Sequence, residues 1–197
     1  MTTPASALHL REHIRAVLSA YVPSTIDEVE GRWNAAVLVL IYEHEGVPHI
    51  VFQKRTDKVE AHKGQISFPG GGADPEDADL VQTALRETHE EIGVAPHHVD
   101  VLGRLDDMVT ISNFRVTPYV GWLSHYPYGW TFSEHEVDYL IEVPIPHLRS
   151  PEGFVPDKRL VNGETRVMPA YRWGDDLIWG ATAHMLGRFL DITAQQE

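Results

Sequence analysis

The spacing of apolar and polar positions changes several times along this chain, and each change marks an element. Asn34 to Glu43, NAAVLVLIYE, is a near-continuous run of aliphatic residues, the pattern of a buried strand. The polar stretch EHEGVPH then turns the chain into a second strand, IVFQKR, which predicts a hairpin. A polar loop, TDKVEAHKGQ, leads to a short strand, ISF, and a Gly-rich turn, PGGGADPED. VDVLGRL, FRVTPYVGWL and VDYLIEVPI read as further strands, the last ending in a helical turn near His147–Leu148. In KRLVNGETRVMPAYRW, Asn162-Gly163 separates two alternating runs and predicts another hairpin.

Helical spacing appears in three places. Leu10, Ile14 and Leu18 share one side of an N-terminal amphipathic helix. A second helix runs from about Asp79 to Ile92, with Gly93 as its C-cap. GATAHMLGRFLDIT closes the chain as a third. Strands and helices mix without regular βαβ alternation, so the pattern predicts an α+β fold with helices packed on a mixed sheet.

The bulk properties narrow this picture. The 197 residues suit one domain with a small appendage. Ala35 to Tyr42 is the longest apolar run, far short of the roughly 20 residues a membrane span needs. The N-terminus lacks the basic start and unbroken apolar stretch of a signal peptide. With no cysteine, disulfides, thiolate metal sites and cysteine nucleophiles are excluded, and a cytoplasmic location is the expectation. A net charge of −13 argues against a general nucleic-acid-binding surface. An enzyme this acidic needs a metal or a local basic patch to act on an anionic substrate.

Against that charge, ALRETHEEIGV concentrates three more carboxylates, Glu87, Glu90 and Glu91. On a helix, Val81, Leu85, Thr88 and Ile92 fall within roughly 60° and form the expected core stripe. The three glutamates fall within about 100° on a different side. Glu87 and Glu91 sit one turn apart, where like charges cost roughly 0.2–0.5 kcal/mol. The helix C-terminus disfavours negative charge further. Arg86, four residues before Glu90, offsets part of this, and a divalent cation would offset the rest. Mg²⁺ takes hard oxygen ligands, usually one or two carboxylates with waters and phosphates. The plain alternative is a solvated acidic face. The preceding FPGGG favours the cation, because glycines let backbone carbonyls approach a ligand closely. The twelve histidines contain no H-E-x-x-H pattern, and no phosphate-binding G-x-x-x-x-G-K-[ST] or G-x-G-x-x-G context occurs. The tryptophans read as packing residues.

These residues resemble the Nudix hydrolase signature: Gly, five residues, Glu, seven residues, then Arg-Glu-apolar-x-Glu-Glu-x-Gly-apolar. Arg86 to Val94 matches every fixed position, with Thr88 in an apolar slot. The first half departs. Asp77 follows Gly71 at the five-residue spacing, whereas the seven-residue spacing before Arg86 lands on Ala78. The first glutamate's role passes to Asp77 or is absent. KRTDKVEAHKGQISFPGG is similar to the extra motif of the coenzyme A pyrophosphatase branch through Arg55, His62, Gly64, Gln65, Phe68, Pro69, Gly70 and Gly71. Glu60 stands where that branch usually has Arg. VTISNFRVTPYVG, EVDYLIEVPI and LIWGATAHML also look like this branch.

The resemblance implies the Nudix α/β/α sandwich around a mixed sheet, with residues 1–30 as a helical extension and 31–197 as the Nudix hydrolase domain. It implies Mg²⁺, with Mn²⁺ as a substitute, and a small nucleotide substrate, coenzyme A or acyl-coenzyme A. ADP-ribose, NADH or a dinucleotide, or a binding module without turnover, are the alternatives. Glu87 and Glu91 are the implied metal ligands. Glu90 is a third ligand or orients the attacking water, and the Gly71 carbonyl completes the shell. Arg86 orients the glutamates. Glu136, beside Glu134 and His135, is the candidate general base. Arg55, Lys63 and Arg115 are candidates for the phosphates, Phe114 for stacking on adenine, and His62 and Gln65 for hydrogen bonds to phosphate or pantetheine. No nucleic-acid or membrane partner is implied, and a homodimer is left open.

Overall fold

The computed structural model describes residues 5–27, 30–57, 64–161 and 163–194. Its centre is β1 (Trp33–His44), whose side chains alternate between two cores. Ala36, Leu38, Leu40 and Tyr42 face one helix layer, and Ala35, Val39 and Ile41 face the other. That double burial is why the segment reads as a continuous apolar run.

On one side β1 runs parallel to β7 (Phe114–Leu123), from Trp33↔Phe114 to Ile41↔Trp122. Its other side is shared. The C-terminal half pairs antiparallel with β2 (Val47–Arg55), and Ala35–Val37 pair with β4 (Gly70–Gly72). Meanwhile the end of β2 pairs with β3 (Ile66–Ser67). The sheet therefore splits between β1 and β2, and residues 66–72 fill the gap as a wedge. The Leu38 N–H donates to the Pro69 carbonyl at 2.8 Å across it. Outward, β2 pairs with β8 (Val137–Pro144), while β7 pairs with β5 (Val99–Arg104) and β6 (Met108–Val109).

Helices cover both faces. Helix α2 (Leu80–Ile92) packs on one, burying Ala84 and Ile92. On the other face, α1 (Ala5–Ala20) buries Ile14 and Leu18 in one core with Leu186 and Phe189 of α4 (Gly180–Ile192). Arg11 and Arg15 of α1 both bond Asp100 on β5. A short α3 (Ile145–Leu148) follows β8. Two small hairpins complete the chain, β9 (Asp157–Val161) with β10 (Glu164–Met168), and β11 (Tyr171–Trp173) with β12 (Asp176–Ile178). Among the described residues no helix is long and apolar enough to cross a membrane.

The expected α+β fold with a mixed sheet is the fold observed. Two local expectations need correction. The Gly-rich "turn" at 70–72 is a strand, because its backbone supplies the pairing that β1 loses where β2 diverges. MPAYRW does not extend the hairpin at 163. The pairing ends at Met168, and Tyr171–Trp173 pair instead with residues 176–178.

The wedge explains one glycine. Gly70 has φ 142°, and a Cβ there would lie 2.3 Å from the Ala36 carbonyl oxygen and 2.5 Å from Val37 Cα. Both neighbours are backbone of the central strand and cannot yield. Gly70→Ala is expected to destabilise the protein by about 3 kcal/mol, combining overpacking with backbone strain. A lower urea midpoint at unchanged slope would show this. A midpoint equal to wild type would mean the sheet tolerates a wider split.

Candidate active site

Helix α2 follows the wedge directly. Asp79 caps its N-terminus, accepting from the Gln82 N–H at 2.8 Å, and Gly93 closes it at φ 77°. Its buried residues are Thr83, Ala84, Thr88, Glu91 and Ile92. The expected stripe is thus rotated. Val81 and Leu85 are only partly buried, and Glu91 lies inside the buried arc at 2% exposure. The glutamates do not share one charged face. Glu91 is inside, Glu87 is half-buried and Glu90 is exposed. The cause is the wedge, which places a backbone donor where an apolar partner would otherwise sit.

That donor is the Gly70 N–H, 2.7 Å from Glu91 Oε2. Arg55 Nη1 approaches Glu91 Oε1 at 3.3 Å. Burial nevertheless dominates, and the Glu91 carboxyl is pushed up to about 7, with Gly70, Gln53 and Arg55 pulling the other way. Glu87 is also pushed up by burial. Arg86 opposes this, while the charges of Glu90 and Glu136 add to it.

Arg86 organises the exposed edge. It bonds Asp77 through both Nε and Nη2 at 3.0 Å, Glu87 at 2.9 Å, Glu90 at 3.2 Å and the Gly72 carbonyl at 3.1 Å. The planar fork explains why an arginine can serve so many oxygens at once. Asp77 also accepts from Thr83 Oγ1 at 2.8 Å, and Arg86 holds its carboxyl well below the usual range. Asp77 thus supplies the acidic partner that Ala78 cannot.

The loop carrying Glu136 is tied to this helix. The Ser133 N–H donates to the Glu91 carbonyl at 3.0 Å, and Thr56 donates through its N–H to Glu136 O and through its hydroxyl to His135 O. A Cβ on Gly93 would lie 2.1 Å from Thr131 Oγ1, so this glycine both ends the helix and admits the loop. Sequence reasoning singled out Glu136. It missed Gln53, polar inside an apolar strand, Thr56, just past that strand's end, and Ser133, one polar residue among several in its loop.

The other expected site residues scatter. Gln65 accepts from the Arg55 N–H at 2.9 Å, beside the site. Phe114 packs against the core on the α1–α4 side, and Arg115 donates to the Ile26 carbonyl at 2.7 Å. His62, Lys63 and Glu60 lie outside the described residues.

The donor set suits a hard cation. A Cβ on Gly71 would fall 2.6 Å from the Glu87 carboxylate, so only glycine lets this backbone reach that oxygen pair. Among the described residues no three His, Asp or Glu side chains already converge as a cage. Glu87 and Glu90 turn to Arg86, and Glu91 turns to Gly70 and Arg55. A few carboxylates beside a glycine backbone match Mg²⁺, which keeps waters and substrate phosphates among its ligands, better than an ion that needs a full protein cage.

The NUDIX domain model matches residues 32–153, well over half the chain. The chain belongs to the Nudix family. Two proteins described as "Uncharacterized Nudix hydrolase NudL" agree with this. The one from Pectobacterium atrosepticum is 32% identical over 184 residues, 93% of this chain and 94% of that protein. The one from Yersinia enterocolitica is 37% identical over 158 residues, 79% and 78% respectively. Among solved structures, a MutT/nudix family protein from Enterococcus faecalis has a TM-score of 0.57 at 12% identity, covering 97% of this chain and 74% of that one. The likeness is one of fold, the Nudix sandwich.

In this Nudix protein the buried Glu91 has a measurable signature. Its carboxyl rises from an ordinary 4.5 to about 7, so the folded state holds its proton more tightly than the unfolded chain. Its contribution to stability is present below about pH 4.5 and is lost as pH rises through 7. The Tm of metal-free wild type, relative to Glu91→Gln, is therefore expected to fall between those pH values. A pH-independent difference would mean that Glu91 ionises as an exposed carboxylate does.

Proposed function

We propose that this Nudix hydrolase cleaves the diphosphate linkage of coenzyme A or acyl-coenzyme A, giving 3′,5′-ADP and (acyl-)4′-phosphopantetheine. The observation that carries the diphosphatase reading is the set Glu87, Glu90 and Glu91 against the Gly70–Gly71 backbone, with Arg86 and Asp77 pinning it. The coenzyme A assignment is supported by the resemblance of the segment from Lys54 to Gly71 to that branch.

In this reading Glu87 and Glu91 hold Mg²⁺, or Mn²⁺ in its place, with the Gly71 carbonyl beside them. Bound there, the ion would supply charge screening of the diphosphate and a lowered pKa for water. Glu90 is a further ligand or orients the attacking water, and Arg86 keeps the three glutamates in place. Glu136 accepts the proton from that water. Its loop ties to Glu91 and Thr56 suit that task, because a base must be held within hydrogen-bond reach. Arg55, Gln65, His62 and Lys63 serve the phosphates and pantetheine. Phe114 and Arg115 belong to the proposed set too, though each already has a partner in this structure. Residues 31–197 form the catalytic domain, with 1–30 as the extension that carries α1. The setting is cytoplasmic.

Side-by-side assays with coenzyme A, acyl-coenzyme A, ADP-ribose and NADH at saturating Mg²⁺ test the substrate. Coenzyme A or its thioester is expected to show the highest kcat/KM. A preference for ADP-ribose or NADH would move the substrate but keep the chemistry. Tight binding of one compound without hydrolysis of any would make the protein a binding module. Glu91→Gln is expected to abolish turnover while the fold survives, and near-normal activity of the folded variant would remove Glu91 from the metal site. Glu136→Gln is expected to lower kcat by about 10²–10⁴, the usual contribution of a general base, and to remove the corresponding limb of the pH–rate profile. An unchanged rate and profile would leave Glu136 an ordinary loop residue.

A further inference from the structure

We propose that Gln53 is a positioning residue that holds the Glu91 carboxylate for cation binding from beneath. This rests on the diphosphatase reading above. Strand alternation puts Val51, Gln53 and Arg55 on the face of β2 that α2 covers. Val51 joins the core beneath α2, and Arg55 reaches Glu91. Gln53 lies between them, with Ser67 of β3 and Leu140 of β8 as its neighbours across the sheet. It is fully buried at 0% exposure, and its amide lies against the Glu91 carboxylate in the sense that favours the charge.

Yet the contact is not a completed hydrogen bond. Among the described residues neither Nε2 nor Oε1 of Gln53 has a partner of standard geometry, and Ser67 Oγ has none either. Leaving a buried polar group unsatisfied is destabilising. Val51 and Phe52 beside it are fully buried and apolar, so an aliphatic side chain would suit the position better if packing alone mattered. The neighbouring carboxylate supplies the reason to keep an amide. Glu91 has one short bond, 2.7 Å from Gly70, and one long contact, 3.3 Å from Arg55. A carboxylate has about four lone-pair sites. A cation drawing on this carboxylate would compete with the long Arg55 contact. Gln53 Nε2, with Ser67 as its cross-strand neighbour, is then the buried donor able to fix the carboxylate plane. Such outer partners orient metal ligands and are retained for that.

The test uses Mn²⁺ titrated into the full-length protein and followed by loss of the free-ion EPR signal. Thermal unfolding of the metal-free protein runs in parallel. Gln53→Met removes the donor and keeps an unbranched side chain. Its Tm is expected to equal or exceed that of wild type, because an orphan amide leaves the core. Its Kd for Mn²⁺ is expected to rise about 10–100-fold. The Mg²⁺ concentration for half-maximal turnover should rise with it. Gln53→Leu repeats the measurement with different packing. Folded variants with a Kd within about twofold of wild type would overturn the proposal, since outer-shell partners shift affinity by more than that. Failure of both variants to fold would overturn it too, by making the amide a requirement of the core. If wild type itself bound no Mn²⁺, the diphosphatase reading would fail first and take this role with it.

Discussion

The burial of one carboxylate governs the rest of this structure. Glu91 sits at 2% exposure on a helix packed against the central sheet, a position where an unpaired charge is very costly. It is tolerated because the sheet is open at that point. β1 and β2 diverge, the wedge enters, and the Gly70 N–H that β1 would otherwise have to satisfy meets Glu91 Oε2. Helix, wedge and split sheet are therefore one device. Remove the split and Glu91 loses its shortest donor, leaving the longer contact from Arg55; remove Glu91 and a strand N–H in the interior loses its partner.

The charge problem is handled in two layers. Inside, Gly70 and Arg55 pull the Glu91 carboxyl down, without fully opposing desolvation. Outside, Arg86 gathers Asp77, Glu87 and Glu90 into one ion-paired edge. Among the described residues, a chain with net charge −13 thus does not meet its densest acidic stretch with a broad basic surface. It uses two arginines, each placed by a different element, and leaves a hard-oxygen surface between them. A divalent cation and an anionic substrate would complete the balance there.

The same geometry couples distant segments of sequence. Gly93 ends α2 and clears the space that Thr131 enters, and Ser133 then bonds the Glu91 carbonyl. Thr56, just past Arg55, fastens the other end of that loop at His135 and Glu136. The loop bearing the proposed base is thereby referenced to both the helix and β2. Precise placement of a proton acceptor needs such supports on rigid elements.

Local order was legible in the sequence because it depends on local spacing. The buried strand at 34–43, the helix from Asp79 to Gly93, the N-terminal helix and the hairpin around Gly163 follow from periodicity and turn chemistry. The run Arg86 to Val94 carried the family resemblance through residue type and interval alone. What only the tertiary structure decided is which side of α2 is interior. Helical angles put Glu91 with Glu87 and Glu90, because they contain no term for a backbone donor arriving from another strand. For the same reason PGGG looked like a turn: glycine's freedom is local, but the pairing that makes 70–72 a strand comes from β1. The Asp77–Arg86 pair depends on how the short segment before α2 folds back on the helix, and Gln53 beside Glu91 became visible only when segments far apart in sequence met at the split sheet.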